Sequence, residues 1–388
     1  MSARISVIGA GISGLAAAVA LERAGHHVSV IEQRTDTGAG SGISLWPNAL
    51  AALDQIGLGD SVRDAGGRVT AGAIRWRDGT WVRRPSVRRI VDALGEPLVV
   101  VRRSRLTDIL REALPAGTVR TGLAATRVSV GASSVRITLS DGEVRESDAV
   151  VGADGVNSVL TRTLNGPLRT RYVGYTAWRG IAAHPLDPEL GGETLGPGTQ
   201  VGHVPLGPDH TYWFATERTA EGGSAPGGEH AYLTAKLADW ADPIPRLVAT
   251  TDPGDLLRND LYDRARAARW SDGRAVLIGD AAHPMRPHLG QGGCQGIEDA
   301  AILARFLKLA DDVPTAFERF EAFRKPRVGM LVREAQTLGR IVNVRPAVLS
   351  GLAGRATALI PERMVTAHLA WIAAGSAFVL PTAADLAR

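Results

Sequence analysis

The chain has 388 residues, of which 45% are apolar, and a formal net charge of +4. This length suits two domains or one large composite domain, with enough apolar residues for a buried core. A single cysteine excludes an internal disulfide framework and a cysteine-rich metal site, so we predict a cytoplasmic protein without a metal centre. The sequence enters a strand by Ile5 with no charged and apolar leader, which favours the same location.

The first predicted elements are a strand, a helix and a second strand. An apolar run over residues 5–8 predicts the first strand, and Leu15 to Ala24 predict a helix that ends at Gly25. The second strand covers His27 to Ile31. Together they form a β-α-β unit of the kind that binds nucleotides.

Three glycines lie at the corner between the first strand and the helix. Gly9 allows the tight turn, Gly11 lets a pyrophosphate approach the backbone, and Gly14 lets the helix and strand pack closely. Glu32, which follows the second strand, is suited to accept hydrogen bonds from both ribose hydroxyls and would repel a 2′-phosphate. The motif therefore predicts bound FAD or NAD rather than NADP.

The positive charge of the chain comes mostly from arginine, which is dense between Arg68 and Arg105. We interpret these residues as a solvated surface, with a docking patch for an anionic dinucleotide or substrate as the alternative. No recognised nucleic-acid-binding module accompanies the charge, so we predict no nucleic-acid partner.

The residue composition and the predicted secondary structure change twice in the middle of the chain. A helix from Leu106 to Leu114 and a hairpin at Val135 to Ser140, turning at Asp141-Gly142, are expected first. From about residue 172 to residue 264 the sequence has short alternating strands, such as Tyr175 to Ile181 and His210 to Thr216, among many Gly, Pro and Trp residues. We predict an inserted antiparallel sheet here, after which the nucleotide fold returns near residue 275.

A second glycine-rich segment, from Leu277 to Asp299, gives the first motif a specific meaning. With it, the chain resembles the group A flavoprotein monooxygenases, the para-hydroxybenzoate hydroxylase-fold family. Three fingerprints of that family occur in order: the N-terminal glycine motif, the Asp-Gly motif at Gly152-Ala-Asp-Gly155 and the Gly-Asp motif at Gly279-Asp280. The resemblance covers most of the chain up to about residue 340 and implies that the bound nucleotide is FAD.

The resemblance implies an α/β fold with three parts. A Rossmann-type FAD-binding domain is expected from residues 1–68, 97–171 and 265–340, and a substrate-binding sheet domain from residues 69–96 and 172–264. A C-terminal helical segment is expected from residues 341–388. Within it, the apolar stretch from Leu369 to Leu380 is too short to cross a bilayer. We predict a packed terminal helix there and no integral membrane segment, with a peripheral membrane or dimer contact as the alternative.

The resemblance also assigns roles toward FAD. Asp280 would anchor a ribityl hydroxyl, Pro287 would pack beside the ring, and Arg103 would point toward the FAD. Asp154 resembles the residue linked to the pyrophosphate region and to NAD(P)H use, with a turn-fixing role as the alternative. A glycine-rich helix start would face the pyrimidine edge and stabilise negative charge there. The full predicted set of FAD-contacting residues is Gly9, Gly11, Ser13, Gly14, Glu32, Gln33, Arg34, Ser44, Arg103, Asp154, Asp280, Pro287, Gly290, Gly292, Gly293 and Cys294. For Cys294 the alternative is a small packing residue at the helix start.

The reaction follows from the same resemblance. NADPH or NADH, bound transiently because no second dinucleotide fold is visible, would reduce the flavin. O2 would then add to give a C4a-hydroperoxide that hydroxylates or epoxidises an aromatic, heteroaromatic or polycyclic small molecule. Two alternatives are a reductase or dehydrogenase of the same fold, distinguished by oxygen-independent turnover, and a non-catalytic flavin-binding protein. We expect a monomer or a homodimer.

Within the family, the sequence motifs most resemble those of FAD-dependent urate hydroxylases and related short aromatic hydroxylases. Urate hydroxylases place arginine where this chain has Gln200 and aspartate where it has His288, whereas Tyr212 is kept. An arginine that pairs with an anionic purine cannot be replaced conservatively by an uncharged amide. We therefore predict a substrate other than urate.

Two residues are catalytic candidates and three more are candidates for the substrate pocket. His288, with a pKa near neutrality, would deprotonate a phenol or heterocycle, and the alternative is a backbone-bonded loop histidine. Tyr212 would hydrogen-bond the substrate, and the alternative is a sheet-core role. Gln200, Trp178 and Arg179 are assigned to the pocket, although strand alternation lets only one of Trp178 and Arg179 face it.

Overall fold

The structure, a computed structural model, describes residues 2–36, 41–70, 72–342 and 355–387. Part of the predicted C-terminal segment, residues 343–354, lies outside the described residues. The strands are β1 (Arg4–Ile8), β2 (His27–Ile31), β3 (Gly42–Leu45), β4 (Gly67–Val69), β5 (Ala73–Trp76), β6 (Trp81–Arg83), β7 (Leu98–Arg102), β8 (Val119–Arg120), β9 (Ala125–Val130), β10 (Val135–Leu139), β11 (Val144–Ser147), β12 (Ala149–Gly152), β13 (Thr170–Ala182), β14 (Gly192–Gly196), β15 (Thr199–Pro205), β16 (Thr211–Glu217), β17 (Leu257–Arg264), β18 (Ser271–Asp272) and β19 (Ala275–Leu277). The α-helices are α1 (Ile12–Arg23), α2 (Pro47–Gln55), α3 (Gly59–Ala65), α4 (Val87–Leu94), α5 (Arg103–Glu112), α6 (Val159–Asn165), α7 (Glu229–Leu237), α8 (Ile244–Ala249), α9 (Gly292–Leu309), α10 (Val313–Val342), α11 (Glu362–Ala373) and α12 (Ala383–Ala387).

The first sheet has six strands in the order β18-β19-β12-β1-β2-β8. The strands from β19 to β8 pair in parallel, and β18 pairs antiparallel with β19. Apart from Arg4 and Ser6 of β1, strands β1, β12 and β19 are apolar, and every residue except Arg4 is buried, as expected of parallel strands covered on both faces. Because parallel strands end at one edge, the three glycine-containing motifs meet there.

The predicted strand-helix-strand unit and the predicted hairpin are both confirmed. Helix α1 joins β1 to β2, and Gly25 beyond its end has φ +90°, a conformation that glycine adopts without strain. The hairpin is formed by β10 and β11, with Gly142 at φ +88° in the turn. Local sequence therefore decided these elements.

The second large sheet has seven strands in the order β17-β13-β16-β15-β14-β5-β6. Its neighbours pair antiparallel except β14 and β5, which pair in parallel. This confirms the predicted antiparallel sheet beside a Rossmann-type domain. One face is covered by α7 and α8 through a core that includes Trp178, Trp213 and Leu237, so the opposite face is the one open to a cavity.

The C-terminal helix differs from the one predicted over residues 369–380. Helix α11 begins earlier, at Glu362, and ends at Ala373, after which the chain makes a single turn at Gly375–Ala377. Its buried residues Ile372 and Ala373 pack with Leu94. Across the described ranges, no helix is both long enough and apolar enough to span a membrane.

Candidate active site

A cavity of about 660 Å³ lies between the carboxyl edge of the six-stranded sheet and the open face of the seven-stranded sheet. Its walls come from the segments that follow β1, β2, β12 and β19, and from strands β13 to β16. Every predicted FAD-contacting residue except Gly14 and Cys294 lines it. Of the predicted substrate and catalytic residues, the lining includes His288, Tyr212, Gln200 and Arg179.

The glycine turn after β1 is tight where it meets the protein and open where it meets the cavity. A Cβ on Gly9, which has φ +103°, would lie 2.5 Å from the Ala153 carbonyl oxygen. One on Gly14 would lie 1.9 Å from the Gly9 carbonyl oxygen, which explains why Gly14 packs inside the turn rather than on the cavity. A Cβ on Gly11 would meet no atom within 4 Å. Gly11 is also the N-cap of α1 and no side chain caps it, so free N–H groups are available for an anion.

Glu32 lines the cavity beside this turn. Its carboxylate accepts hydrogen bonds from the backbone N–H of Ala10 at 2.7 Å and of Arg34 at 2.8 Å. These two bonds fix the carboxylate at the end of β2 and leave each oxygen with a lone pair for a ribose hydroxyl. Gln33 and Arg34 contribute to the same wall.

Asp154, in the turn after β12, has one oxygen that the turn satisfies and one that it does not. Its Oδ2 accepts the Val159 N–H at 2.8 Å, which holds the start of α6. Its Oδ1 is buried and has no hydrogen-bond partner in the described part of the chain. Burial raises the pKa of this carboxyl above its usual range. The turn-fixing role and a ligand-binding role are thus both compatible with the geometry, one at each oxygen.

The N-terminus of α9 forms the next wall. Gly290 precedes the helix at φ +61°, and Gly292 and Gly293 form its first turn. The first N–H that bonds within the helix is that of Gln295, to the Gln291 carbonyl, so the preceding N–H groups have no acceptor inside the helix. Asp280, Pro287, Ser44 and Arg103 complete this part of the lining. This 18-residue helix begins at the cavity, so its N-terminus supplies partial positive charge there.

Cys294 does not line the cavity, contrary to its assignment as a cofactor contact and in agreement with the alternative of a packing residue. It is fully buried, and its thiol points to the carbonyl oxygens of Ser44 and Gly290, each at 3.6 Å. Burial raises the pKa of the thiol to about 12, so it stays protonated. Only the backbone N–H of this residue is available to a ligand at the helix start.

A buried polar network holds the start of α9, and no sequence motif predicts it. Asn48 Nδ2 donates to Gln291 Oε1 at 2.9 Å and to Glu298 Oε1 at 2.6 Å. Arg324, on α10, donates to Glu298 Oε2 and to Asp299 Oδ1, both at 2.7 Å. These contacts join residues separated by up to 250 positions, which no local pattern reveals.

Alternation along β13 decides between the two residues that the sequence left open. Arg179 lines the cavity, and its Nη1 donates to Asn259 Oδ1 at 2.8 Å. Trp178 lies on the other face, where its Nε1 donates to Glu229 Oε2 at 2.7 Å and its ring is tilted by 34° against that of Tyr232. The assignment of Trp178 to the substrate pocket is therefore wrong, because its side chain lies in the core that α7 and α8 cover.

Tyr212 and Gln200 lie on the cavity face of their strands, as does Glu193, which the sequence analysis missed. Burial raises the pKa of Tyr212, an effect that the nearby Arg179 partly opposes, so the phenol stays protonated. Burial also raises the pKa of Glu193, and its hydrogen bond with Gln200 opposes this. Alternation alone places Glu193 on one face of β14, but only strand register brings it beside Gln200.

His288 also lines the cavity, but not as the near-neutral base that was predicted. The Tyr175 hydroxyl lies 3.4 Å from its Nε2, and the two rings meet edge to face with centroids 5.5 Å apart. Burial, and then repulsion from Arg286, lowers the pKa of His288 to about 4. The imidazole is therefore neutral near pH 7 and is a much weaker base than a free histidine.

Comparison with known proteins agrees with this geometry. The family model described as FAD binding domain matches residues 2–335. The chain is 36% identical over 340 residues to the aurachin C monooxygenase/isomerase of Stigmatella aurantiaca, covering 87% of this chain and 89% of that protein. It is 34% identical over a 399-residue alignment to the 3-amino-4-hydroxybenzoate 2-monooxygenase of Streptomyces cremeus, covering 99% and 98%. The crystal structure of Klebsiella pneumoniae HpxO complexed with FAD and uric acid matches with a TM-score of 0.88 at 28% identity, covering 95% of this chain and 96% of that one.

Proposed function

The chain belongs to the FAD binding domain family of group A flavoprotein monooxygenases, and on this premise we propose that it consumes NADPH or NADH and O2 to hydroxylate or epoxidise an aromatic, heteroaromatic or polycyclic small molecule. The observation that carries the proposal is the shared cavity. The predicted FAD-contacting residues and a separate wall of polar and aromatic side chains on the seven-stranded sheet line the same space. A substrate on that wall would therefore lie against the cofactor.

The residues present fit FAD. The open backbone at Gly11 and the uncapped start of α1 suit a pyrophosphate, and Glu32 suits a ribose. The unpartnered Oδ1 of Asp154 suits a hydroxyl donor, and the start of α9 suits the pyrimidine edge of the ring. When bound, FAD supplies the redox chemistry with the nicotinamide and O2.

The remaining residues orient the substrate and exclude water. Tyr212, protonated and buried, donates a hydrogen bond to an oxygen of the substrate. His288, neutral and held against Tyr175, offers one acceptor and one donor nitrogen and positions the substrate rather than deprotonating it. Arg179 carries positive charge to the same wall. Domain boundaries, the cytoplasmic location and the monomeric or dimeric state stay predictions.

Turnover with labelled oxygen tests the proposal. The purified protein is screened with phenols, purines, nicotinates and polyketide aromatics for stimulated NADPH and NADH oxidation. The masses of the products formed under ¹⁸O2 are then measured by mass spectrometry. We expect faster oxidation with a matching compound and one ¹⁸O atom in its product. Turnover that persists without O2 would indicate a reductase instead. Failure to bind FAD after reconstitution would contradict the proposal entirely.

A further inference from the structure

Strand register places an arginine and a glutamate in one row across four strands of the seven-stranded sheet. Arg179 of β13 is paired with Phe214 of β16, Phe214 with Gly202 of β15, and Gly202 with Glu193 of β14. Directly paired residues of neighbouring strands point to the same face, and three strand spacings separate the ends of the row by about 14 Å. Arg179, Phe214 and Glu193 all line the cavity, so the whole row faces it.

The aromatic ring of Phe214 lies between the two charged ends of this row. A Cβ on Gly202 would lie 2.2 Å from Cε1 of Phe214, so the ring lies directly over the glycine. Any larger residue at position 202 would displace the ring. The absence of a side chain there thus makes room for a flat surface on which a planar molecule can stack.

The arginine end of the row is a cation without a carboxylate partner. The guanidinium of Arg179 bonds to the neutral amide of Asn259, and no carboxylate lies within ion-pair distance of it among the described residues. Tyr212 lies in the adjacent row, where it is paired with Ile181, and lines the cavity next to Arg179. A guanidinium and a phenol together bind a carboxylate, phenolate or carbonyl oxygen.

The glutamate end has the opposite character. Glu193 lies beside the Gln200 amide, and no cation forms an ion pair with it in the described part of the chain. Both side chains line the cavity. A carboxyl group in this position accepts hydrogen bonds from an N–H group, and an enclosed carboxyl without a protein cation is stabilised by such a donor.

We propose that the Arg179–Glu193 row is the substrate site and that it selects a planar aromatic compound bearing an anionic or carbonyl oxygen at one edge and an N–H donor at the other. The oxygen binds at Arg179 and Tyr212, the donor at Glu193 and Gln200, and the ring on Phe214. An amino-substituted aromatic acid has this chemistry, and so does a nitrogen heterocycle that carries a carbonyl group. The inference rests on the proposed function for the identity of the reaction but not for the binding measurement.

Three compounds test it by their perturbation of the bound FAD absorbance, without NADPH or NADH. They are 3-amino-4-hydroxybenzoate, 4-hydroxybenzoate, which lacks the amine, and 2-aminophenol, which lacks the carboxylate. We expect the first to bind about tenfold or more tightly than either of the others, because each lost partner leaves a polar protein group unpaired. Equal binding of all three, or binding of none, would overturn the proposal.

Substitutions at the two ends separate the two contacts. Glu193→Leu should abolish the preference for the amine and keep the preference for the carboxylate, whereas Arg179→Leu should do the reverse. The conservative variants Glu193→Gln and Arg179→Lys should each retain part of the preference. A general loss of structure would lower both preferences together, and unchanged preferences in both leucine variants would refute the row as the substrate site.

Glu189→Leu is the matched control, because Glu189 is exposed four positions before Glu193 and pairs with Arg84 on the surface. It should bind all three compounds as the unchanged protein does. Incorporation of ¹⁸O is measured separately on the same compounds. Selective binding without oxygen incorporation would contradict the proposed function and leave this inference standing. Oxygen incorporation without selective binding would support the proposed function and contradict this inference.

Discussion

Two glycines of one turn have opposite surroundings, and their difference is a residue-scale property. Gly14 is pressed against the Gly9 carbonyl, and an added methyl group would lie 1.9 Å from its oxygen. Gly11 opens onto the cavity, where an added methyl group meets no protein atom. Gly14 is therefore needed for folding and Gly11 for ligand binding, although the sequence motif does not distinguish the two positions.

Substituting each glycine with alanine should separate these roles. Gly11→Ala should leave the apoprotein's melting temperature unchanged and weaken FAD binding about tenfold or more, because the methyl group occupies the approach of the pyrophosphate. Gly14→Ala should destabilise the apoprotein by about 1–3 kcal/mol through overpacking. Thermal melts of the apoproteins and flavin fluorescence titrations check both results. Equal melting-temperature losses in the two variants would contradict this assignment.

At the scale of elements, α9 is fixed to α10 by charges that are buried together. Burial alone would raise the pKa of Asp299, but His283 and Arg324 hold it at about 2. Glu298 faces Arg324 on one oxygen and Asn48 on the other. Arg324 of α10 therefore positions α9, the helix whose N-terminus faces the cavity, through its contacts with Glu298 and Asp299.

Removing the shared cation should weaken both stability and cofactor binding. Arg324→Met leaves two buried carboxylates without the cation that they share, so we expect a loss of about 3–5 kcal/mol in the free energy of unfolding. Urea denaturation of the apoprotein measures this loss, and FAD titration measures the effect on the α9 start. Arg333→Met, at an exposed position of the same helix, is the control and should change neither. A stable Arg324→Met protein would show that the network does not hold α9.

At the scale of the whole molecule, buried neutral histidines make stability depend on pH. Burial, and then Arg75, lowers the pKa of His203 to about 3, and the pKa of His288 falls to about 4. In the unfolded chain both residues take up a proton below about pH 6.5. The unfolded state therefore binds more protons than the folded state between these values, and stability falls as the pH falls from 6.5.

The prediction is a steeper acid loss of stability than surface charges alone would cause. Each buried histidine adds a slope of up to about 1.4 kcal/mol per pH unit between its unfolded and folded pKa values. His203→Gln should flatten the curve of unfolding free energy between pH 6.5 and 4, as measured by urea denaturation at a series of pH values. His27→Gln, at an exposed position, should leave the slope as it is. An unchanged slope in His203→Gln would contradict the buried neutral state.

The sequence alone determined what depends on neighbouring residues and on residue types with strict backbone needs. The unit β1-α1-β2 follows from a short apolar run, three glycines and Glu32, all within one stretch of chain. The three ordered motifs predicted FAD and the family, because each motif carries its own turn and helix start. Apolar periodicity likewise predicted the hairpin of β10 and β11.

Tertiary structure decided which of these residues meet, and in what charge state. The choice of Arg179 over Trp178 depended on α7 and α8 covering one face of β13. The alignment of Arg179 with Glu193 depended on the register of four strands, which spacing along the chain does not specify. The low pKa of His288 depended on burial. Each of these is a long-range effect, because packing, register and desolvation are set by parts of the chain that only the fold brings together.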